Sequence, residues 1–390
     1  MKKRLIIFIS ILGILLFSIA GCKLFQCEPT DEVEYFPVLG INAADNYDLG
    51  YKIGQGFSNQ INIAIERQAD LIATVQYIIS FDSTYFYHNL VDAAEAAFPE
   101  YINELQGIAD GAEVPFEILM TLNLFGDVIA LYYGLPGVES IEVPESTLGC
   151  STVSYSYDGT QYLAHNEDGM AELHDLMGVV RAKLPGKPEM INLYYPGLIP
   201  GVGPSMTEAG LAFSGNYIQS LQGNPAGVPH LFIFRSLLDA LSVDESISMI
   251  EDVLTCNYLH INIASRIENR IVSVEKAENT TTIYEVDELY THTNHFIQDE
   301  MLGFAIDYDA TTLDRYTTLT NMINIYENDP GCVTCDILHG FLCEVAAEPD
   351  TTGGITGGMT LGSSIINLET GKWKLLFNNP IDNLSQILFF

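Results

Sequence analysis

The feature that most constrains the fold is an alternating stretch that starts at residue 150 and turns back on itself. In "CSTVSYSY" the side chains of Val153, Tyr155 and Tyr157 share one face of a strand, and Thr152 and small hydroxyl residues share the other. An Asp-Gly pair follows, which strongly indicates a tight hairpin turn, and "TQYLAHN" is the returning strand. The sequence therefore predicts a β-hairpin that returns polar residues to the cysteine at its start.

The length of the hairpin loop decides which acidic residue faces Cys150. With a two-residue loop, Tyr157 pairs with Thr160 and Cys150 lies opposite Glu167. With a three-residue loop, Cys150 faces Asp168 directly. A slip of one residue exchanges the two faces of a strand, and the sequence leaves both registers open. Either register brings the Asn-Glu-Asp cluster at 166–168 back to the cysteine.

A cysteine beside carboxylates can serve as a nucleophile, provided that a base activates the thiol. In one solution a histidine from elsewhere is the base; the candidates are His165, His260, His292 and His295. In another, removal of everything before Cys150 frees its α-amino group, whose pKa of about 8 suits a base near neutral pH. A nearby carboxylate would then orient the ammonium. A buried structural cysteine is the third interpretation.

The regions on either side of this hairpin differ in character. Apolar residues at three- and four-residue spacing predict a helical block from about 46 to 135, and "LPGVESIEVPEST" is a loop. From residue 150 to the end, strands and helices alternate in groups, which predicts a layered α/β domain.

The N-terminus is typical of an exported lipoprotein. Basic residues at 2–4 precede an apolar run from Leu5 to Ile19, and "IAGC" resembles the bacterial lipobox. We expect a signal peptide over residues 1–21, a lipid on Cys22 and a tether over residues 22–45. The expected location is the bacterial cell envelope, with the protein exported and anchored to the membrane by its lipid.

The charge balance excludes polyanionic partners. The formal net charge is −35, and removal of the signal peptide would take away three further positive charges. Such a surface repels nucleic acid and anionic lipid head groups. Membrane attachment is therefore expected through the lipid on Cys22 and not through a basic patch.

Two groups of residues have a spacing that metal sites also use. Cys332, Cys335, His339 and Cys343 could hold zinc, and the first two could form a disulfide, but "TCDILHGFLCEV" is also typical of an amphipathic core helix. In "HTNH" the two histidines could pair on a metal, yet we prefer a role for the asparagine between them.

Several motifs, in order, resemble one known family. "GCSTV", the hairpin, and "HNED" with its aspartate eighteen residues after the cysteine resemble the peptidase C45 family. This is the acyl-coenzyme A:6-aminopenicillanic acid acyltransferase group of N-terminal-nucleophile hydrolases. "TEAGLAFSGNYI", "HTNHF" and "TTLDRY" resemble its later signatures. The resemblance covers roughly residues 45 to 390.

The resemblance implies an α/β fold, a four-layer αββα sandwich, in a catalytic domain over residues 150–390. A helical pro-segment over residues 46–149 would precede it. It also implies autocatalytic cleavage between Gly149 and Cys150 and hydrolysis of a linear amide in a small-molecule substrate through an acyl-enzyme, without a cofactor. Acyl transfer to an amine, a non-catalytic binding lipoprotein, and a metal-dependent hydrolase using His292 and His295 are the alternatives.

Residue roles follow from the same resemblance. Cys150 would be the nucleophile and its α-amine the base, and Asp168 would hold that amine. Asn294 would donate to the oxyanion, with Asn166 and Asn216 as further donors. Three other positions complete the prediction: Arg315 would bind a substrate carboxylate or brace the site, His165 occupies a position where distant relatives have a basic residue, and Gly169 departs from the aromatic residue of many members.

Overall fold

Two stacked β-sheets form the centre of the molecule, and α-helices cover their outer faces. The computed structural model describes residues 35–138, 149–218, 220, 222–304, 310–326, 329–346, 358–382 and 384–390. The predicted signal peptide, the predicted lipidation site Cys22 and the first part of the predicted tether lie outside these residues.

Fourteen strands occur in the described residues. They are β1 (Val38–Asn42), β2 (Ser151–Tyr157), β3 (Thr160–Met170), β4 (Gly178–Lys183), β5 (Met190–Tyr194), β6 (Ser205–Thr207), β7 (Leu211–Tyr217), β8 (Leu259–Ser265), β9 (Arg270–Ala277), β10 (Thr280–Glu285), β11 (Glu288–His292), β12 (Gly358–Asn367), β13 (Lys372–Phe377) and β14 (Ser385–Phe389). One sheet has the order β1-β4-β5-β6-β7-β8-β9-β10, and the other has the order β11-β2-β3-β12-β13-β14.

Ten α-helices accompany the strands in the same part of the chain. They are α1 (Asn46–Gly56), α2 (Ser58–Arg67), α3 (Ala69–Phe81), α4 (Asn89–Ala97), α5 (Pro99–Ala112), α6 (Phe116–Tyr133), α7 (His230–Leu237), α8 (Val243–Glu251), α9 (Ala310–Asn324) and α10 (Cys335–Glu344).

The alternation of side chains along the strands sorts them into three cores. Leu163 of β3 and Val179 of β4 pack between the two sheets, whereas Val180 turns outward to the core beneath α1–α8. Ala164 of β3 faces the third core, which contains Leu338 of α10. The order helix, sheet, sheet, helix confirms the predicted αββα sandwich, because each sheet buries one face on the other sheet and one on helices.

The end of the predicted tether is part of the fold. Val38–Asn42 forms the edge strand β1 and pairs in parallel with β4, so that Val38 lies opposite Val179. Residues 38–42, which lie within the range expected for the tether, are thus part of the sheet. This strand is not predicted from the sequence because it has only five residues and no alternating pattern of apolar and polar side chains.

The helices predicted from periodicity between 46 and 135 are present, although the first long stretch is divided into α1, α2 and α3. Among the described residues, α6 is the helix long and apolar enough to cross a membrane. Its apolar window is 72% buried inside the protein. We therefore describe α6 as a central core helix.

Helices α1 and α5 pack with their backbones in direct contact. Gly50 and Gly54 of α1 face Gly107 and Gly111 of α5, and a Cβ atom at any of the four would overlap backbone atoms of the opposite helix. Glycine at four-residue spacing allows this close approach, as it does in membrane helix pairs.

A buried ion pair joins α5 to α7. The Arg235 guanidinium donates from Nε and Nη2 to the two carboxylate oxygens of Glu104, at 2.8 and 2.9 Å, and both side chains are fully buried. Such a bidentate ion pair fixes the relative position of the two helices. Loss of either partner would leave an uncompensated buried charge.

Gly107→Ala is expected to destabilise the protein. The added methyl group meets the Tyr47 carbonyl oxygen, and overpacking of this kind costs about 1–3 kcal/mol, which outweighs the helix propensity that alanine gains. Urea unfolding measures the change. Gly40→Ala is the matched control, because nothing lies within 4 Å of its Cβ position. Equal unfolding midpoints for the two variants would contradict the proposed backbone contact.

Candidate active site

The β2–β3 hairpin has the shorter of the two predicted loops. Tyr157 pairs with Thr160 and Ser151 with Asn166. Asp158 and Gly159 form the turn with φ angles of 49° and 81°, the left-handed values of a type I′ turn. Cys150, one residue before the last pair, therefore lies opposite Glu167, as the two-residue loop predicts.

The Cys150 thiol is buried among acceptors. Its sulfur lies 3.8 Å from Glu167 Oε1 and 3.9 Å from the Asp168 carbonyl oxygen, and the residue is 5% exposed. Burial raises the pKa of this thiol well above its usual range, and the negative charges of Glu167 and Asp168 raise it further. In the intact chain the cysteine is therefore a neutral thiol, and activation requires a base or a positive charge.

Asp168 carries an unused acceptor. Its Oδ1 accepts a hydrogen bond of 2.6 Å from the Thr360 hydroxyl of β12. Its Oδ2 is enclosed and has no hydrogen-bond partner among the described residues. Burial raises the pKa of Asp168 to about 6, against the lowering effect of the Arg315 charge. A buried carboxylate oxygen without a donor is costly, so this atom favours a nearby cation.

Glu167 is the residue that the sequence analysis left without a role. Its Oε1 accepts a 2.6 Å hydrogen bond from the Tyr195 hydroxyl, and its Oε2 lies 3.1 Å from His165 Nε2. The register of the hairpin was the available signal, because a two-residue loop places this carboxylate directly opposite the cysteine.

The hydrogen bonds behind His165 determine where its protons lie. The Thr152 hydroxyl donates to Asn216 Oδ1 at 2.9 Å, so it accepts from His165 Nδ1 at 2.8 Å. Because Nδ1 then carries a hydrogen, His165 Nε2 and Glu167 Oε2 share one further proton. A proton-holding pair therefore lies beside the Cys150 sulfur.

Asn166 and Asn216 both bind elsewhere in the protein. The Asn166 amide donates to the Leu342 carbonyl oxygen of α10 at 2.8 Å, and its oxygen accepts from Ser363 at 2.6 Å. The Asn216 oxygen accepts from Thr152, and its amide lies 3.4 Å from the His292 carbonyl oxygen. In the intact chain these side chains brace the strands, and their role as oxyanion donors remains a prediction.

Arg315 of α9 binds the segment around the predicted cleavage site. Its Nη1 donates to the Cys150 carbonyl oxygen at 2.7 Å and to Ser151 Oγ at 2.9 Å. Its Nη2 donates to Asn294 Oδ1 at 2.9 Å, and the Asn294 amide donates to the Tyr217 carbonyl oxygen at 2.8 Å. Of the two roles predicted for Arg315, these contacts favour bracing.

Gly149 packs directly on that guanidinium. A Cβ atom at this position would lie 2.8 Å from Arg315 Nη2. Three hydrogen bonds hold the guanidinium in place, so a larger residue before Cys150 would disturb the contact.

A largely apolar cavity opens beside the sulfur. Cys150, Glu167 and Asp168 line part of it, and Phe125 of α6 and Phe234 of α7 are among the apolar residues that line the rest. Lys and Arg are absent from its described lining. The cavity therefore combines a nucleophile, carboxylates and an apolar wall, which suits a small organic substrate.

The histidines at 292 and 295 do not form an open metal pair. His292 Nε2 lies 2.8 Å from Glu275 Oε1, and its Nδ1 lies 2.7 Å from the Thr293 carbonyl oxygen. Burial lowers the pKa of His295 to about 4. Within the described residues, the Cys, His and Glu atoms close enough to share a metal ion belong to Cys150, His165 and Glu167.

The cysteines near the C-terminus form neither the zinc site nor the Cys332–Cys335 disulfide that their spacing would allow. Cys332 and Cys335 do not form a disulfide with each other, and Cys343 is disulfide-bonded. His339 Nε2 lies 2.8 Å from the Pro380 carbonyl oxygen. Because Cys343 is disulfide-bonded and His339 contacts the Pro380 carbonyl oxygen, the spacing that could have held zinc does not form a zinc site here.

Comparisons with known proteins agree with the resemblance seen in the sequence. The model of the acyl-coenzyme A:6-aminopenicillanic acid acyltransferase family matches residues 156–382. The β-alanyl-dopamine/carcinine hydrolase of Drosophila melanogaster is 28% identical over 229 residues, which are 55% of this chain and 57% of that protein. The chain thus spans little more than half the length of this curated relative.

Solved structures give weaker matches. A variant of the conjugated bile acid hydrolase of Clostridium perfringens has a TM-score of 0.45 at 13% identity and covers 62% of this chain and 92% of its own. The N-acylethanolamine-hydrolyzing acid amidase orthologue of Caenorhabditis elegans has a TM-score of 0.37 at 13% identity and covers 62% and 100%. With TM-scores this low, neither bears on the assignment of the site.

Glu167→Gln is expected to slow the self-cleavage that the sequence predicts between Gly149 and Cys150. The substitution keeps the shape of the side chain but removes the nearest acceptor for the thiol proton, and loss of a positioned base costs about 10²–10⁴-fold in rate. A time course of purified chains on denaturing gels measures it. Tyr195→Phe, which keeps the carboxylate and removes one donor to it, should have a smaller effect. Cleavage of the Gln variant at the wild-type rate would exclude a role for Glu167.

Proposed function

The chain belongs to the acyl-coenzyme A:6-aminopenicillanic acid acyltransferase family, and from this premise we propose that it is a self-processed amidohydrolase with Cys150 as its nucleophile. The family match begins at residue 156, so the assignment of the nucleophile depends on the geometry of the hairpin. The proposed reaction is hydrolysis of a linear amide bond in a small molecule through an acyl-enzyme.

One observation carries the proposal: the enclosed Oδ2 of Asp168 has no donor among the described residues. Cleavage between Gly149 and Cys150 would create an α-ammonium group on the residue whose sulfur lies 3.9 Å from the Asp168 carbonyl oxygen. The new cation would satisfy the acceptor and neutralise a buried charge. The site thus has a place for the group that cleavage produces.

Self-cleavage would begin at the thiol. The Cys150 sulfur attacks the Gly149 carbonyl carbon, the peptide C–N bond breaks, and the α-amine takes a proton. Water then hydrolyses the thioester, which releases the Gly149 carboxylate and restores the thiol. Glu167 and His165, which share one proton beside the sulfur, are placed to accept and return the thiol proton.

The catalytic cycle would use the same atoms with the freed amine as base. The α-amine takes the thiol proton, and the thiolate attacks the amide carbonyl of the substrate. The resulting ammonium protonates the leaving amine, and water resolves the acyl-enzyme to acid and thiol. Asn294 is the proposed oxyanion donor: Arg315 holds its oxygen, the Tyr217 carbonyl oxygen accepts one of its two amide hydrogens, and the other is proposed to reach the oxyanion.

Acyl transfer is the second candidate, because the family that the chain matches is described as an acyltransferase. The two reactions share the acyl-enzyme and differ in what resolves it. Hydroxylamine added to the reaction distinguishes them. Efficient formation of acyl hydroxamate at the expense of acid favours transfer, and acid as the main product favours hydrolysis.

The relative from Drosophila melanogaster suggests the first substrates to test. Its description is β-alanyl-dopamine/carcinine hydrolase, so we propose amides of small amines, including β-alanyl amides, as the starting set. A non-catalytic binding protein would cleave none of them.

Purified wild-type protein is expected to consist of two chains that divide at Gly149–Cys150. Cys150→Ala should remain one chain and hydrolyse no amide, because both reactions need the sulfur. Asp168→Asn should lower kcat by roughly 10²-fold or more, since the ammonium loses its counter-charge. Intact mass and a chromogenic amide assay give both readouts.

Asp175→Asn is the control for the aspartate variant, because Asp175 is an exposed residue paired with Arg67 on the surface. Its kcat should match that of the wild type. Full activity of Cys150→Ala would refute the proposed function.

We also propose that the protein is exported and anchored by a lipid on Cys22, on the sequence pattern alone. A bacterium that expresses the full chain should incorporate labelled palmitate into the protein, whereas Cys22→Ala should not be labelled. Equal labelling of both proteins would place the lipid elsewhere.

A further inference from the structure

A buried histidine–aspartate pair lies on the substrate cavity, away from the hairpin in sequence. Asp127 of α6 is fully buried, and His230, the first residue of α7, is 5% exposed and lines the cavity. His230 Nδ1 lies 2.9 Å from Asp127 Oδ2, and the backbone N–H of His230 donates to Oδ1 at 3.4 Å. Burial and then the Asp127 charge raise the pKa of the nearby Cys256 thiol well above its usual range. The carboxylate thus contacts His230 at two atoms and fixes the imidazole.

The remaining ring nitrogen of this histidine is available to a ligand. In the tautomer in which Nδ1 donates to Asp127, the lone pair of the imidazole is on Nε2. Nε2 has no hydrogen-bond partner among the described residues and is not among the enclosed unpaired atoms. Since His230 lines the cavity, this nitrogen opens into it.

The surroundings fix the orientation of the imidazole. A Cβ atom at Gly126 would lie 3.1 Å from His230 Cε1, so the ring packs closely over the glycine of α6. The Tyr217 ring lies 5.9 Å from the imidazole, and the Phe234 ring lies 6.0 Å from it in an edge-to-face arrangement. The pair is therefore a rigid polar group set in an aromatic wall.

The charge next to His230 determines whether a cationic or an anionic group of the substrate is favoured there. Asp127 lies behind His230, and the described lining of the cavity contains no Lys or Arg. A substrate carboxylate would be repelled here, whereas a protonated amine would meet an acceptor nitrogen backed by a carboxylate. The faces of Tyr217 and Phe234 also attract cations.

We propose that His230 and Asp127 form a subsite for a protonated amine of the substrate. An ammonium N–H donates to His230 Nε2, and Asp127 holds the imidazole in the tautomer that accepts. This inference builds on the proposed amide hydrolysis and narrows its substrates to amides that carry a cationic amine.

Three anilides with acyl chains of similar length test whether the cavity prefers a cationic, a neutral or an anionic end group. β-Alanyl, butyryl and succinyl p-nitroanilide end in an ammonium, a methyl and a carboxylate. The processed wild-type enzyme should show kcat/KM about 10-fold or more higher for the β-alanyl compound than for the butyryl compound, and lowest for the succinyl compound. A preference for the carboxylate would overturn the proposal, and so would equal values for the first two together with equal values for the leaving-side pair of compounds described next.

The amine could belong to the acyl part or to the leaving part of the amide. N-acetyl-1,3-diaminopropane and N-acetylpropylamine differ only in an amine on the leaving side. A preference for the diamine compound, without a preference for β-alanyl, would place the subsite on the leaving side and still support amine binding.

Variants connect the preference to the two residues. Asp127→Asn and His230→Leu should each reduce the ratio of β-alanyl to butyryl kcat/KM toward one. His230→Gln, whose side-chain oxygen can accept, should recover part of the ratio. Asp239→Asn is the matched control, because Asp239 is a buried aspartate that does not line the cavity. An unchanged ratio in His230→Leu would overturn the proposal.

Failure of the proposed function can be recognised separately. If the processed wild-type protein hydrolyses none of these amides, the chemistry is wrong but the subsite is still testable. Calorimetry on the full-length Cys150→Ala chain then compares β-alaninamide with butyramide. Tighter binding of β-alaninamide that is lost in the Cys150→Ala, His230→Leu double variant supports the subsite, and equal binding of the two amides overturns it.

Discussion

The pairing register of the β2–β3 hairpin is the constraint on which the site depends. The left-handed turn at Asp158 and Gly159 sets it, and every later contact of the nucleophile follows from it. A shift of one residue would place Asp168 instead of Glu167 opposite Cys150 and would exchange the two faces of β3. The chemistry of the molecule thus rests on a two-residue turn about eight residues from the sulfur.

The space between the two sheets is unusually polar near this hairpin. From Glu167 the hydrogen bonds run through His165, Thr152 and Asn216 to His260, which lies 2.8 Å from Ser273. The His260 ring stacks on His292 with centroids 3.3 Å apart, and burial holds the pKa of His260 well below its usual range. A buried polar network of this kind offsets the cost of desolvating its side chains only when each polar atom has a hydrogen-bond partner. Here the network orients the Glu167 carboxylate beside the Cys150 thiol.

Much of the fold and part of the site could be predicted from sequence. Alternation and turn residues are local signals, so the hairpin, the helices and the layered order were predictable, and the register was predictable to within one residue. The parallel edge strand β1 was not, because its partner lies more than 130 residues away. The bonds of Asn166 and Asn216, and the pairing of Asp127 with His230, also depend on contacts between elements distant in sequence. No local pattern contains that information.

The partnership of β1 with β4 has a consequence for how the molecule is made. The strand, the helices α1–α6 and part of the cavity wall come from the chain before Gly149, and they remain built into the sandwich whether or not the backbone is cut. Folding of the uncut chain is a first-order process, because its two parts are tethered. Once cut, the same structure could be regained from the unfolded state only if the two segments found each other without a peptide bond between them. The mature form would then persist because it unfolds slowly, and the peptide bond between Gly149 and Cys150 would be needed only while the chain folds.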